Sequence, residues 1–307
     1  MKAYAIETRE IEKRFGRVKA LDGVSIHVKQ GEIYGLIGDN GAGKSTLLKL
    51  LVGHIFADNG EMTLLGACEK KALQKARHHV GALIEEVGFF PELTVEANME
   101  YYRRLKGVPE KEAVEQVLKT VNLWDKRKSK AKGLSMGMKK RLGIGLAILG
   151  EPELLILDEP INGLDPSGIV ELRMLLQRLN EEKKMTILLS SHILSELQQT
   201  ATTFGFLDHG HLLQEISAEE LQAKCADYLA LQVSDCAKYA ALLDLHCPGE
   251  SYKVFPNGDI HIFAPKEARE YYSRLAATNR IDVTAMEWHQ YSLEEYFMQL
   301  KKEARHA

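Results

Sequence analysis

Cysteine, tryptophan and proline are scarce in this 307-residue sequence, at four, two and eight residues, and neither a long apolar run nor a strong excess of one charge is present. The four cysteines, Cys68, Cys225, Cys236 and Cys247, show no C-x-x-C spacing, so a zinc site or a disulfide framework is not expected and the thiols are read as reduced. The opening Met1-Lys2-Ala3-Tyr4-Ala5-Ile6-Glu7 turns charged at once and lacks the apolar core of a secretory signal. The strongest apolar stretch, Leu142 to Leu149, falls far short of the roughly 18 to 20 residues that cross a bilayer. A cytoplasmic chain without its own membrane span is the expectation. A formal net charge of -3 argues against a general attraction to nucleic acid, and no nucleic-acid partner is expected.

What remains is an ordinary globular composition, 45% hydrophobic and 27% charged, long enough for one large α/β domain and a smaller one. Its central feature is Gly38-Asp39-Asn40-Gly41-Ala42-Gly43-Lys44-Ser45-Thr46, between an apolar strand (Ile33 to Ile37) and a leucine-rich helix (Leu47 to Leu51). In the pattern G-x-x-x-x-G-K-S/T the glycines let backbone N–H groups wrap a phosphate and the following helix adds its positive end. The lysine reaches the β- and γ-phosphates, and the serine hydroxyl is placed for Mg²⁺. A glycine-rich turn that happens to contain lysine is the plainer alternative, and the flanking strand and helix count against it.

Other stretches align with this loop. Phe15 sits at a strand end some two dozen residues earlier, where an aromatic either stacks on an adenine or packs as core. Val80 to Ile84 reads as a buried strand running into Glu85-Glu86, and residues 95 to 122 switch to helical periodicity with alternating charges. The basic run Lys126 to Lys132 is a solvated face or a phosphate attractor. Ser135 then reads as the N-cap of a helix to Leu149, a second potential phosphate site, with Gly137 offering a backbone donor. Leu154 to Leu157 is a buried strand ending in Asp158-Glu159. Asp158 suits Mg²⁺, while Glu159, directed elsewhere, suits the polarising of an attacking water. Met185 to Leu189 is another buried strand, ending in Ser190-Ser191-His192, and His192 is placed to bond a γ-phosphate if this strand neighbours the Asp158 strand.

Together these residues resemble the ATP-binding subunit of an ABC transporter, over roughly residues 1 to 217 and with the motifs in the family's order. The resemblance implies an α/β fold, a P-loop ATPase domain with a helical subdomain at about 86–150, and ATP and Mg²⁺ as cofactors. It makes Phe15 the adenine-stacking aromatic and Gly38 to Thr46 the Walker A loop. Glu85 takes the Q-loop position, Leu134 to Met138 the signature, and Leu154 to Glu159 the Walker B strand. Gly163-Leu164-Asp165 is then the D-loop and His192 the switch histidine. Catalysis would fall to Glu159 and His192, nucleotide binding to residues 38–46 with Phe15, Ser135 and Gly137, and metal binding to Ser45, Glu85 and Asp158. Two such chains, identical or not, would sandwich two ATP molecules and drive a membrane-spanning permease, which holds them at the inner face of the cell membrane.

Two positions depart from the commonest pattern: Glu85 replaces glutamine, and Leu134-Ser135-Met136-Gly137-Met138 replaces Leu-Ser-Gly-Gly-Gln. Both resemble the exporter subfamily linked to bacitracin and lantibiotic resistance, which implies an antimicrobial peptide as cargo. A soluble ABC-type regulatory ATPase without a transport role, a ribosome- or DNA-directed ABC ATPase, and an unrelated P-loop kinase or GTPase are the alternatives.

From about Ala218 the pattern reads as a separate α+β module, 218–307. Tyr228 to Val233 is a strand, Ala237 to Leu245 a helix, and Tyr252 to Phe255 with Asp259 to Phe263 a hairpin about Pro256-Asn257-Gly258. A helix from Ala264 to Thr278, a strand from Ile281 to Glu287 and a last helix from Ser292 to Lys302 complete a βαββαβ order suited to a ferredoxin-like domain. It carries no catalytic constellation and is expected to regulate or to support a dimer.

Overall fold

A computed structural model describes residues 3–85, 88–224, 227–289 and 293–306. The chain divides into two compact units, Met1–Ala218 and Glu219–Ala307. The first opens with β1 (Tyr4–Phe15), β2 (Val18–Val24), β3 (His27–Lys29), β4 (Ile33–Ile37) and α1 (Lys44–Val52), followed by β5 (Asn59–Leu64), α2 (Lys70–Ala76) and β6 (Val80–Leu83). Three helices come next, α3 (Val95–Leu105), α4 (Glu112–Thr120) and α5 (Met136–Ile148). The unit then runs through β7 (Leu154–Leu157), α6 (Pro166–Lys183), β8 (Thr186–Ser191), α7 (Leu194–Gln198), β9 (Thr203–Asp208) and β10 (His211–Ser217).

Two sheets result. The antiparallel one runs β2-β1-β3 with β5 also on β1, and the other runs β10-β9-β4-β8-β7-β6. Every pair in the second sheet is parallel except β9 with β10. Its central strands are buried at every residue, as a sheet covered on both faces requires. Helix α1 is buried with both: Leu47, Leu48, Leu50 and Leu51 share one core with Ile6, Ile11 and Val24 of the antiparallel sheet and Leu36, Leu154 and Leu188 of the parallel one.

The apolar run that began at Leu142 is the C-terminal half of α5, where every residue from Leu142 to Ile148 is buried, so it is a core helix. Among the described residues no helix is long and apolar enough to cross a membrane. The helical stretch expected across 95–122 divides into α3 and α4, because Gly107 takes a φ of 69° and Pro109 lacks the N–H that would continue the helix. Arg103, 8% exposed, clamps this break: it holds Glu100 on its own helix and donates to the carbonyls of Val108 and Pro109.

The second unit contains α8 (Ala218–Lys224, which starts at the boundary), β11 (Tyr228–Val233), α9 (Cys236–His246), β12 (Ser251–Val254), β13 (Asp259–Phe263), α10 (Arg269–Thr278), β14 (Val283–His289) and α11 (Leu293–His306). The sheet is antiparallel throughout, in the order β12-β13-β11-β14, which is the split βαβ arrangement of a ferredoxin-like domain. Alternate residues Leu229, Leu231 and Val233 of β11 and Ile260 and Ile262 of β13 form its core with Tyr239 and Leu243 of α9 and Tyr272 and Ala276 of α10. The hairpin turns at Gly258, with φ 90°. Helix α10 starts five residues later than the pattern suggested, since Ala264 adopts φ 45° and Pro265 follows it. Strand β14 likewise begins at Val283 instead of Ile281, and the expected helix start at Ser292 lies outside the described residues. Cys68, Cys236 and Cys247 are free thiols, and Cys225 also lies outside the described residues.

Hydrogen bonds from Arg103 and Arg104 hold the Glu100 carboxyl down at about 2. The unfolded chain therefore binds a proton between the ordinary carboxyl range and pH 2 that the folded chain refuses, so this clamp is fully present above the unfolded value and is lost as pH falls toward 2. Glu100→Gln is expected to lower the urea midpoint at pH 6, and its deficit against the native chain to shrink steadily at pH 4 and pH 3. A deficit independent of pH contradicts this account.

Candidate active site

The carboxyl ends of β4, β8 and β7 lie side by side, because Ile37 pairs with Ser191 and Leu157 with Leu189 in parallel register. An open α/β sheet gathers its ligand site at this edge. Each of the three strands delivers one part. β4 runs into the loop 38–43 and α1, β7 into Asp158-Glu159, and β8 into Ser190, Ser191 and His192.

The loop needs its last glycine twice over. Gly43 caps α1 with φ 110°, a conformation that side chains resist, and a Cβ there would lie 2.6 Å from the Ala20 carbonyl oxygen. Lys44 follows it at the first turn of α1 and is 5% exposed. Its Nζ donates to the carbonyl oxygens of Gly38 at 2.7 Å and Asp39 at 3.2 Å and lies 3.2 Å from Glu159 Oε1. The other carboxylate oxygen of Glu159 is 2.8 Å from His192 Nδ1. One carboxylate therefore joins a lysine that follows the 38–43 loop to a histidine that follows β8.

Glu159 reaches both partners from a left-handed backbone, φ 45°, which is uncommon for a residue with a side chain. Three contacts hold that turn: its N–H donates to Ser190 Oγ at 3.0 Å, and its carbonyl accepts from Asn162 N and from Lys140 Nζ, each at 3.3 Å. Ser190 in turn donates to Asp158 Oδ1 at 2.6 Å, so one buried hydroxyl fixes two neighbouring acidic residues in divergent directions. Burial pulls the Lys140 ammonium below the ordinary lysine range, while the charges of Asp158 and Glu159 oppose the fall.

Asp158, 5% exposed, keeps Oδ2 free of hydrogen bonds from the described residues. Together with the Ser45 hydroxyl it offers hard oxygen donors, the kind that suit Mg²⁺, which typically takes only one or two carboxylates and completes its shell with phosphate and water. Among the described residues no group of three or more His, Cys, Asp or Glu could hold a metal by itself. Glu85 lies in a left-handed turn with φ 63°, its carboxylate paired with Lys49 of α1.

Phe15, half exposed at the end of β1, lies under Lys13 Nζ at 5.7 Å from its ring centroid. Ser135 caps α5 by accepting from Met138 N at 3.3 Å, and both Ser135 and Met136 are exposed. Gly137 stands beside Leu164, and Asp165 caps α6 by accepting from Gly168 N at 3.1 Å. The structure thus gathers Lys44, Asp158, Glu159 and His192 into one network and leaves Phe15, Glu85, Ser135 and Gly137 on other elements. Ser190 and Lys140 were not assigned roles by sequence. A signal for Ser190 did exist: a hydroxyl ending an apolar strand, 0% exposed, must find partners.

Ser190→Ala strips Asp158 of its hydroxyl donor and orphans the Glu159 N–H. A loss of about 1 to 3 kcal/mol in unfolding free energy is expected, read from urea titration. A loss within a few tenths of that measurement's error excludes Ser190 as the pin of this turn.

Comparison with known proteins follows the same lines. The sequence pattern of the ABC transporter family matches residues 21–162. The bacitracin transport ATP-binding protein BcrA of Bacillus licheniformis is 38% identical over 295 residues, covering 96% of both chains. The lantibiotic transport ATP-binding protein SrtF of Streptococcus pyogenes is 38% identical over 211 residues, covering 68% of this chain and 90% of the relative. A solved ATP-binding subunit of an ABC transporter superposes with a TM-score of 0.63 at 30% identity, over 72% of this chain and 92% of that one. A dimeric ATP-binding cassette bound to ADP and Pi has the same fold, with a TM-score of 0.63 at 23% identity over 69% and 98%. Identity of this degree, running almost end to end in both sequences, places the chain in the ABC transporter family, among its ATP-binding proteins.

Proposed function

We propose that this chain hydrolyses ATP between the 38–46 loop and the Glu159–His192 pair, and that it does so as one half of a two-chain engine for an exporter with a separate membrane-spanning permease. The observation that carries the reading is the sharing of the Glu159 carboxylate between Lys44 and His192. Backbone N–H groups of residues 39–44 and the N-terminus of α1 receive the β-phosphate, and Lys44 Nζ exchanges its loop carbonyls and Glu159 for β- and γ-phosphate oxygens. Glu159, released from the lysine, accepts a proton from the water that attacks the γ-phosphorus. His192 keeps the carboxylate aligned through Nδ1 and offers Nε2 to the γ-phosphate. Phe15, exposed at a strand end, stacks on the adenine.

Mg²⁺ would be held by Ser45, Asp158 and Glu85, and would supply neutralisation of the phosphate charge. Ser135 and Gly137 are directed to the γ-phosphate held by the second chain, a role that the exposure of Ser135 and the partial exposure of Gly137 at the start of a 13-residue helix support. The permease docks near the Glu85 to Thr94 loop, of which Glu86 and Val87 lie outside the described residues. There buried Asn98 bonds the N–H and carbonyl of Phe90 and the carbonyl of Thr94, leaving Phe90 and Leu93 about two-fifths exposed beside Tyr101. Through the permease the chain lies at the inner face of the membrane. The names of the relatives support an antimicrobial peptide of the bacitracin or lantibiotic kind as cargo.

Glu159→Gln keeps the size and hydrogen-bonding length of the side chain and removes its basicity. The hydrolysis rate is expected to fall by about 10² to 10⁴, and the variant to bind ATP and shift from monomer to dimer in light scattering when ATP is added. Turnover at the native rate refutes Glu159 as the base. ATP binding without dimerisation refutes the shared site for identical chains.

A further inference from the structure

Glu159 is fixed from two sides that belong to different halves of the proposed engine. Its N–H and carboxylate are held by Ser190, Lys44 and His192, all from the strand-end edge that receives this chain's own nucleotide. Its carbonyl is held by Lys140, which comes from α5, the helix that Ser135 caps and that the proposed function assigns to the second chain's nucleotide. Lys140 lies on the second turn of that helix, five residues after Ser135, and its ammonium has that carbonyl as its hydrogen-bond partner. The same end of α5 touches the segment after Glu159 again: Gly137 stands 3.7 Å from Leu164 measured from the Cβ it lacks, and Arg141 pairs with Glu171 of α6 at 2.8 Å.

We infer that Lys140, given Glu159 as the base, is a positioning residue that ties the phosphate-facing end of α5 to the direction of the Glu159 carboxylate. The geometry supplies the reason. A glutamate at φ 45° persists only where its surroundings over-determine it. Rotation of the Glu159 peptide moves the carbonyl and, through the same backbone, the direction in which the side chain leaves. A donor on α5 therefore holds the carboxylate on line only while α5 holds its own place. When the second chain's γ-phosphate draws Ser135 and Gly137 toward it, the shift reaches the Glu159 carbonyl directly through the Lys140 side chain. Each chain thereby senses occupation of the other site at the atom that activates its own water. Leucine or methionine at position 140 would pack equally well and transmit nothing, and a donor of similar length would serve in its place.

The test uses the full-length chain. Lys140→Met keeps the alkyl stem and removes the donor; kcat for ATP is expected to fall about 2- to 30-fold, with KM for ATP and the urea midpoint close to native, and Lys140→Arg is expected to restore most of kcat. Two cycles locate the effect. In the Glu159→Gln chain the same substitution is expected to leave the residual rate unchanged, because the group it positions is already inactive. With Ser135→Ala, the combined loss is expected to fall short of the product of the two single losses. A native kcat in Lys140→Met, a proportional further loss in Glu159→Gln, or independence from Ser135→Ala each overturns the inference. Failure of Glu159 as the base shows separately, as native turnover in Glu159→Gln with Lys140 intact.

Discussion

The single carboxylate of Glu159 sits where three strands end, and its two oxygens are divided between a lysine that follows β4 and a histidine that follows β8. That arrangement depends on parallel register. A slip of one residue between β7 and β8 would turn His192 to the other face of the sheet and break the link. The apolar strands supply the register: β4, β7 and β8 are buried along their whole length, so each has to enter and leave the sheet where its polar residues begin. The polar residues of the site therefore begin where the apolar runs stop, while Asp158 and Ser190 themselves stay buried. Gly38 follows Ile37, Asp158 follows Leu157, and Ser190 and Ser191 close β8 just before His192.

Much of this was legible because it is local. The loop 38–46 carries its own backbone requirements, which Gly43 meets by φ and by the closeness of the Ala20 carbonyl, and the strand ends announce themselves where apolar runs stop at acidic or hydroxylic residues. Ser135 as a helix cap needed only its own neighbours and was found where expected. What resisted reading is non-local. Lys140 meets Glu159 across 19 positions, Ser190 meets Asp158 across 32, and Lys49 takes Glu85 across 36. None of these pairs shares a periodic pattern, so only the folded backbone brings them together. The late start of α10 is a different kind of miss. Helical composition extended back to Ala264, but a proline and a left-handed residue overruled it.

The second unit shows why function could not be read there from sequence. Its legible pattern, alternating apolar residues on β11 and β13, is spent on a core with Tyr239 and Tyr272, and those two phenols are occupied in holding the fold. Tyr239 donates to the Tyr272 carbonyl at 2.9 Å, and Tyr272 donates to the Glu250 carboxylate at 2.8 Å. Burial pushes both hydroxyls above the usual phenol range, which keeps them protonated donors. A periodic pattern that is fully consumed by packing identifies a domain and leaves its partners unread.

The altered signature is reconciled by the same distinction between backbone and side chain. At Ser135-Met136-Gly137-Met138 the commoner sequence has glycine and glutamine where methionines stand, and a reading by side chain alone would count a lost donor. The first turn of a helix, however, presents backbone N–H groups that have no partner inside the helix. Of these, Met138 N is taken by Ser135 Oγ, which leaves those of Met136 and Gly137 for an anion. The serine loses nothing by capping, since a hydroxyl accepts one bond while donating another. Methionine also favours helix over glycine by up to about 1 kcal/mol, so Met136 stiffens the turn that carries these donors. The substitution exchanges a flexible helix start for a firmer one, and a firmer start is what the proposed connection through Lys140 to Glu159 requires.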